Sequence, residues 1–384
     1  MNRQLLTLFF VMFLASFDMH AQMPLLSPYV KSLGASAMMI GVILSAYSTS
    51  NLIGNLIAGP FLDKYRKPLI ISTGLFIAGG LLILQGVVTE ISSFLVIRFL
   101  FGFVMAFVTP ACFAMLGEMG KTEQEQGSVM AKNGIVMTIA SMISPAIGGM
   151  VAGHFGYQQA FYLFGLVMIF ACLLVFTQLR TAQPSHTRSS TARGLSPSKL
   201  PVSELFLAYL AGFTVLYAQG TLLYEIPLLM EKHHLSPLDT GNLFSLMGVG
   251  SLVILSMFWM HRISPIVRCL TGLTLLGLVM YSLALDIPIS LYIVMLCLGI
   301  SFGILFPAMS TILASRSPKE SYGVAFSIFS AVLSVGAMIS PLVSGYIDQM
   351  NTSFFLAFLL AFIACILSLG QSIRRNKNAH LIPR

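Results

Sequence analysis

The chain has 384 residues, of which 57% are hydrophobic and only 9% charged, and its formal net charge is +8. A soluble domain carries about 25% charged residues, so this surface is not built to face water. The basic excess sits in short loops with no aromatic-laced stripe, which excludes a nucleic-acid reading.

Apolar stretches long enough to cross about 30 Å of hydrocarbon predict twelve membrane spans. They fall at 5–27, 38–61, 68–88, 91–117, 127–152, 158–179, 203–229, 237–260, 265–285, 288–314, 321–346 and 352–372. Helices are required, because an open strand leaves its backbone groups unsatisfied in lipid. The first stretch, Leu5 to Leu26, is too long for a signal-peptide core. Residues 180–202 are polar, basic and rich in Pro, Ser and Thr, as a flexible linker is. The expected organisation is a six-helix bundle over 1–179, the linker, a second six-helix bundle over 203–373 and a tail over 374–384. Of the 21 Lys and Arg, all but Lys31, Lys232 and Arg98 fall on the side of the N-terminus, so both termini are expected in the cytoplasm. Loops this short suit a bacterial inner membrane.

Within the first span, Asp18 and Gln22 lie four residues apart and share a helix face, while His20 points elsewhere. A carboxylate inside a span is a functional candidate by default. Asp18 is the first candidate for proton coupling or for binding a cationic substrate. After the second span comes Gly59-Pro60-Phe61-Leu62-Asp63-Lys64-Tyr65-Arg66-Lys67-Pro68, a basic loop with one acid. The corresponding loop of the second half, Met260-His261-Arg262-Ile263-Ser264, lacks the acid. Arg98 lies in the fourth span close below its outer boundary; it either faces a cavity or snorkels to the surface. Asn51, Asn55, Gln85 and Asn133 are polar groups that line a cavity or join helices.

The fifth span carries Ala140-Ser141-Met142-Ile143-Ser144-Pro145-Ala146-Ile147-Gly148-Gly149. The eleventh repeats it, 196 residues later, as Gly336-Ala337-Met338-Ile339-Ser340-Pro341-Leu342-Val343-Ser344-Gly345. With small slips the correspondence spreads: Pro24 with Pro227, Ser36 and Gly41 with Ser236 and Gly241, Gly102 and Pro110 with Gly299 and Pro307. The chain is a duplicated unit. Proline frees a backbone carbonyl, and small neighbours let another helix approach. In the seventh span Tyr217, Thr221 and Glu225 form an i, i+4, i+8 stripe. The repeat sets Glu225 opposite Gln22 and Thr221 opposite Asp18, so both polar faces are expected to aim at one central cavity, with Glu225 the second coupling candidate.

Five cysteines (Cys112, Cys172, Cys269, Cys297, Cys365) stand singly, so neither disulfides nor a metal centre is expected. No G-x-x-x-x-G-K-[ST] occurs and no nucleophile–base set is visible, so neither ATP use nor an enzyme activity is expected and no cofactor is called for.

Two six-helix halves, a central linker and the Gly59–Pro68 loop together resemble the major facilitator superfamily over essentially the whole chain. The family loop usually has a glycine before its last basic pair, absent here. The resemblance implies an all-α integral membrane fold of twelve transmembrane helices in two pseudo-symmetric six-helix bundles. It implies that Asp63 closes the inward side against the N-terminus of the eleventh span near Ser321. It also implies that Lys64, Arg66 and Lys67 tie that segment to acids on neighbouring helices and to membrane lipids. Arg98 with Gly102 resembles the fourth-span pattern of proton-coupled members. Ser144-Pro145-Ala146-Ile147-Gly148-Gly149 is similar to the fifth-span signature of the twelve-span drug/proton antiporters, with Ser144 in place of a glycine. In this family the fifth and eighth spans meet and form a rocking seam, and Ser340, Pro341 and Gly345 occupy the repeat positions. The expectation is a monomeric transporter exporting a small organic molecule, a drug-like compound or metabolite, in exchange for protons. An importer or facilitator of the same fold, and a non-transporting lipid-handling protein, are the alternatives.

Overall fold

A computed structural model describes residues 3–119, 122–179, 202–317 and 322–379. The linker up to residue 201, the last residues of the tail and the start of the eleventh span before Tyr322 lie outside the described residues, as does the side chain of Asp63. The described residues form helices and no strand. In order these are α1 (Arg3–Ala21), α2 (Leu26–Ser32), α3 (Ala37–Lys64), α4 (Lys67–Val87), α5 (Ile91–Glu118), α6 (Glu123–Phe155) and α7 (Tyr157–Gln178). There follow α8 (Val202–Lys232), α9 (Pro237–Leu255), α10 (Pro265–Ala284), α11 (Leu291–Arg316), α12 (Tyr322–Ile347) and α13 (Met350–Ala379). All but α2 are long and apolar enough to cross a membrane, twelve in all, and they match the predicted spans one for one.

The departures from the expected bounds have local causes. The first span breaks after Ala21, because Pro24 has no N–H to give to the His20 carbonyl. Met23 N–H takes that carbonyl instead at 3.1 Å, and Leu25 and Leu26 N–H both reach Gln22 O at 3.1 Å before α2 starts. The restart puts Pro28 in the first turn of α2, where a missing N–H costs no helical bond. Pro227, the partner of Pro24 in the repeat, has no second proline four residues later and stays inside α8. The eighth span ends at Leu255, not 260, and a short 3-10 helix, Phe258–Arg262, follows. The segment Gly59–Lys64 is the end of α3 and not a loop; only Tyr65 and Arg66 separate it from α4. α6 begins earlier than expected because Thr122 caps it, its hydroxyl accepting from Glu125 N–H at 3.2 Å. Ser36 caps α3 by accepting from Met39 N–H at 3.3 Å, and its repeat partner Ser236 accepts from Asp239 N–H at 3.2 Å at the start of α9.

The helices cluster into two compact units. Unit one contains the first six spans together with Leu223–Gly248, the C-terminal part of α8 and the first part of α9; unit two contains the remainder. In unit one, α4 packs on α5 and α7, α3 on α5, and α1 on α6 and α7. Gly79 of α4 faces the backbone of Gly165 in α7 so closely that a Cβ on either would overlap the other helix. Tyr29, Phe94 and Phe161 pack in the buried core with Phe94 edge-on to the other two rings, and Tyr29 donates to Gln85 O at 2.9 Å. In unit two, α10 packs on α11 and α13. The repeat is visible in individual bonds. Asn51 Nδ2 donates to Gly102 O at 3.2 Å between α3 and α5. Ser251 Oγ donates to Gly299 O at 2.8 Å between α9 and α11. Such interhelical bonds average only about 0.6 kcal/mol in a membrane. Their recurrence at matched positions therefore reports shared architecture more than stability.

Candidate functional site

Asp18 sits in the last turn of α1 and Gln22 in the break that follows. Gln22 N–H still donates to Asp18 O at 3.3 Å, so the helical register carries through and the two side chains keep a common face. Gln22 Nε2 donates to Asp18 Oδ2 at 2.8 Å. From α5, Arg98 Nη1 donates to Gln22 Oε1 at 2.5 Å. The guanidinium also lies 5.2 Å from the ring centroid of Tyr47 on α3 and 5.7 Å from that of Phe101. Asp18, Gln22 and Arg98 are 2%, 2% and 8% exposed. Arg98 therefore does not snorkel to the surface: it is enclosed, and it belongs to the same site as Asp18.

The amide of Gln22 suits this position chemically. A carboxylate only accepts and a guanidinium only donates, while an amide does both. Gln22 thus separates two opposite charges and satisfies one group on each. An isolated charge at mid-span costs about 2.5–3.5 kcal/mol on insertion scales; here the opposite charges belong to one hydrogen-bonded chain, with about 0.5–2 kcal/mol more from the rings. Within these three side chains, Asp18 Oδ1 and Arg98 Nε have no hydrogen-bond partner among the described residues. The site keeps one acceptor and one donor available. His20 turns away, as expected, with Nδ1 2.7 Å from Ser16 O of its own helix.

Tyr217, Thr221 and Glu225 of α8 are all buried. Thr221 Oγ1 donates to Tyr217 O at 3.1 Å, a bond within the helix. Tyr217 and Thr221 belong to unit two and Glu225 to unit one.

The proline motif of α6 forms a close seam with α1 and α9. Ser144 Oγ donates to Ala140 O at 2.5 Å, and Pro145 interrupts the helical ladder. Ala146 N–H finds Ser245 Oγ of α9 at 3.0 Å. Gly148 lies against the backbone of Ala21 in α1, and Gly149 against Pro237. From α9, Gly241 meets Pro145 and Gly248 meets Met142. In unit two the repeated motif pairs α12 with α8: Gly336 lies against Phe213 O and Gly220 against Ser340 and Pro341, with Gly345 buried.

In the segment after Gly59, Lys67 at the start of α4 forms an ion pair with Glu118 at the end of α5, and Lys64 Nζ lies 5.4 Å from the centroid of Tyr65. Gly59 itself has open space around it, and Asp63 and Arg66 stand at the end of α3 and in the two-residue link.

Sequence reasoning did not find Tyr47, Phe101 or Ser245, nor the bond from Gln22 to Arg98. No periodicity could have signalled them, since each depends on which helices are neighbours. Gly241 and Gly248, one heptad apart on α9, were the available signal for the α6–α9 approach.

The comparisons with known proteins agree with this architecture. The Major Facilitator Superfamily family model matches residues 8–285 and 269–380. Multidrug resistance protein 2 of Bacillus subtilis is 24% identical over 375 residues, 92% of this chain and 91% of that protein. Quinolone resistance protein NorA of Staphylococcus aureus is 23% identical over 365 residues, 90% of each chain. Among solved structures, a bacterial homolog of the human lysosomal transporter Spinster, inward-facing and occupied, superposes with TM-score 0.78 at 14% identity, covering 96% of both chains. The peptide transporter POT in complex with sulfate superposes with TM-score 0.78 at 14% identity, covering 97% of this chain and 95% of that one. Twelve spans in a duplicated arrangement, matched by one family model along nearly their whole length, place the chain in the major facilitator superfamily of membrane transporters.

Proposed function

We propose that the chain is a secondary transporter exporting small organic molecules, drug-like compounds or metabolites, by proton antiport with alternating access. Both termini then lie in the cytoplasm, with the basic residues on the inner side. The observation that carries this reading is the buried Asp18–Gln22–Arg98 chain. The names of the two curated relatives, a multidrug and a quinolone resistance protein, support export of drug-like compounds.

The coupling follows from donor and acceptor roles. A proton on Asp18 removes its charge and turns one oxygen into a donor. Gln22 Nε2 then loses its charged acceptor, and its amide is free to turn or withdraw from Arg98. Because Gln22 O also anchors Leu25 and Leu26 in the break between α1 and α2, the change reaches the backbone. A cationic substrate seeks the same carboxylate that the proton occupies, so the two exclude each other, which is the requirement for exchange. Glu225 is the second coupling candidate, with Tyr217 and Thr221 as polar groups of the substrate path. Asp63 with Lys64, Arg66 and Lys67 serves the inner gate. The seam at Ser144, Pro145, Gly148 and Gly149, repeated at Ser340, Pro341 and Gly345, accommodates rocking.

The test is proton movement in proteoliposomes loaded with a pH-sensitive dye, for wild type and Asp18→Asn, challenged with a panel of cationic drug-like compounds. The expected result is substrate-driven proton exchange in wild type and none in the variant. Substrate flux in wild type with no proton signal would sink antiport and make the protein a facilitator.

A further inference from the structure

Arg98 and Arg268 are the two buried arginines among the described residues, and their surroundings differ. Arg98 has an acceptor and two rings. Arg268, 4% exposed, forms no ion pair among the described residues, and its Nε is enclosed without a hydrogen-bond partner. Its position makes this more costly. It is the fourth residue of α10, at the positive end of that helix's dipole, where a cation is disfavoured. The end is also uncapped: Ser264 makes no side-chain cap bond, Pro265 has no N–H, and Ile266 and Val267 have no helical acceptor. Side chains lean toward the N-terminus of their helix, which directs that of Arg268 toward this open turn. The acids of unit two whose side chains are described are Asp286 and Asp348, which follow the C-terminal ends of α10 and α12; Glu204 stands in the first turn of α8. Nothing described neutralises the charge.

Helix α10 has 20 residues, which at about 1.5 Å each span the hydrocarbon once. Its N-terminus therefore sits at the depth of lipid headgroups. The 3-10 helix Phe258–Arg262 just before it presents Arg262 and Trp259, the latter 58% exposed, at the same level. Tryptophan favours this interface.

We propose that the N-terminus of α10, with Arg268 as its buried cation, is an anion site that takes a phosphate group. The first-turn N–H groups and the guanidinium are the donors such a group requires. The phosphate is supplied by an anionic lipid headgroup or by free phosphate. This site is independent of the Asp18 chain and does not rest on the proposed transport activity.

Trp259 is the chain's single tryptophan, so its emission reports on this end of the molecule. The experiment titrates the full chain in detergent micelles with phosphatidylglycerol, with phosphatidylcholine and with inorganic phosphate. Trp259 emission and the melting temperature are read for wild type and Arg268→Met. The expected result is a saturable emission change and a rise in Tm for wild type, with the apparent affinity falling roughly tenfold or more in the variant. Without added anion, Arg268→Met should melt no lower than wild type, because it removes an uncompensated buried charge. A response to phosphatidylglycerol alone identifies the headgroup as occupant; an equal response to inorganic phosphate identifies the free anion. No saturable response to either in wild type overturns the site, as does an undiminished response in the variant. Should Arg268→Met fail to fold, the wild-type titration still decides, and Arg268→Lys should keep a weaker response.

Discussion

At the residue scale, Gln22 carries the sharpest prediction. Gln22→Leu keeps the volume and removes both bonds, leaving Asp18 and Arg98 buried without their shared partner. A loss of about 1–3 kcal/mol is expected for stranding such groups, together with loss of substrate-driven proton exchange; thermal melting and the dye assay read the two separately. A variant as stable and active as wild type would remove Gln22 from the site. Tyr47 gives a second prediction. Tyr47→Phe keeps the ring against Arg98 and should leave transport near wild type. Tyr47→Leu removes the ring and should cost about 0.5–2 kcal/mol, read as a lower melting temperature. Half of this site was legible in the sequence. Asp18 and Gln22 share a face by spacing alone. Arg98, 76 positions from Gln22, could be placed near them only once α5 was known to pack on α1. Its nearness to the span boundary left snorkelling open as the weaker reading from sequence, and what decides against it is burial among Tyr47, Phe101 and Gln22.

At the scale of elements, the α6 seam makes glycines unequal. A Cβ on Gly148 or Gly241 would overlap the backbone of Ala21 or Pro145, and backbone cannot step aside. A Cβ on Gly220 meets chiefly the hydroxyl of Ser340, which can rotate, and one on Gly134 meets open space. The expected order of damage for substitution by alanine is Gly148 and Gly241 first, Gly220 next, and Gly134 neutral or favourable, since a helical glycine costs about 0.5–1 kcal/mol relative to alanine. Monodisperse yield on fluorescence-detected size exclusion, followed by melting, would rank them, and equal tolerance at Gly241 and Gly134 would contradict the close approach. The sequence marked Gly148 and Gly149 through the repeat and the family signature. It did not mark the break in the first span, because Pro24 and Pro227 look alike in an alignment. The difference lies with Pro28, whose need for a first-turn position favours restarting the helix at Leu26.

For the whole molecule, duplication set the architecture and divergence the chemistry. The first repeat holds Asp18, Gln22 and Arg98; the second has Thr221 in the position of Asp18 and no acid in the loop around Arg262. Besides the α6–α9 seam, three further links join the two repeats within unit one. Lys31 pairs with Glu231 at 3.0 Å, Ser27 Oγ donates to Leu223 O at 3.0 Å, and Tyr224 donates from its hydroxyl to Ala37 O at 3.0 Å. Alternating access requires such links to open once in every cycle, so they must be weak. Lys31 and Glu231 are both exposed, and an exposed ion pair is worth about 0–1 kcal/mol. Lys31→Ala should therefore change stability very little, whereas a covalent tie at the same place should stop transport. In a background without the five native cysteines, Lys31→Cys with Glu231→Cys, joined by a short bifunctional thiol reagent, should block substrate flux; a reducible version of the reagent should allow recovery. Each single cysteine variant, treated identically, should remain active. Undiminished flux through the cross-linked protein would mean that this end never opens. Substrate would then have to pass by a route that does not separate the repeats at Lys31, and alternating access at this end would be excluded.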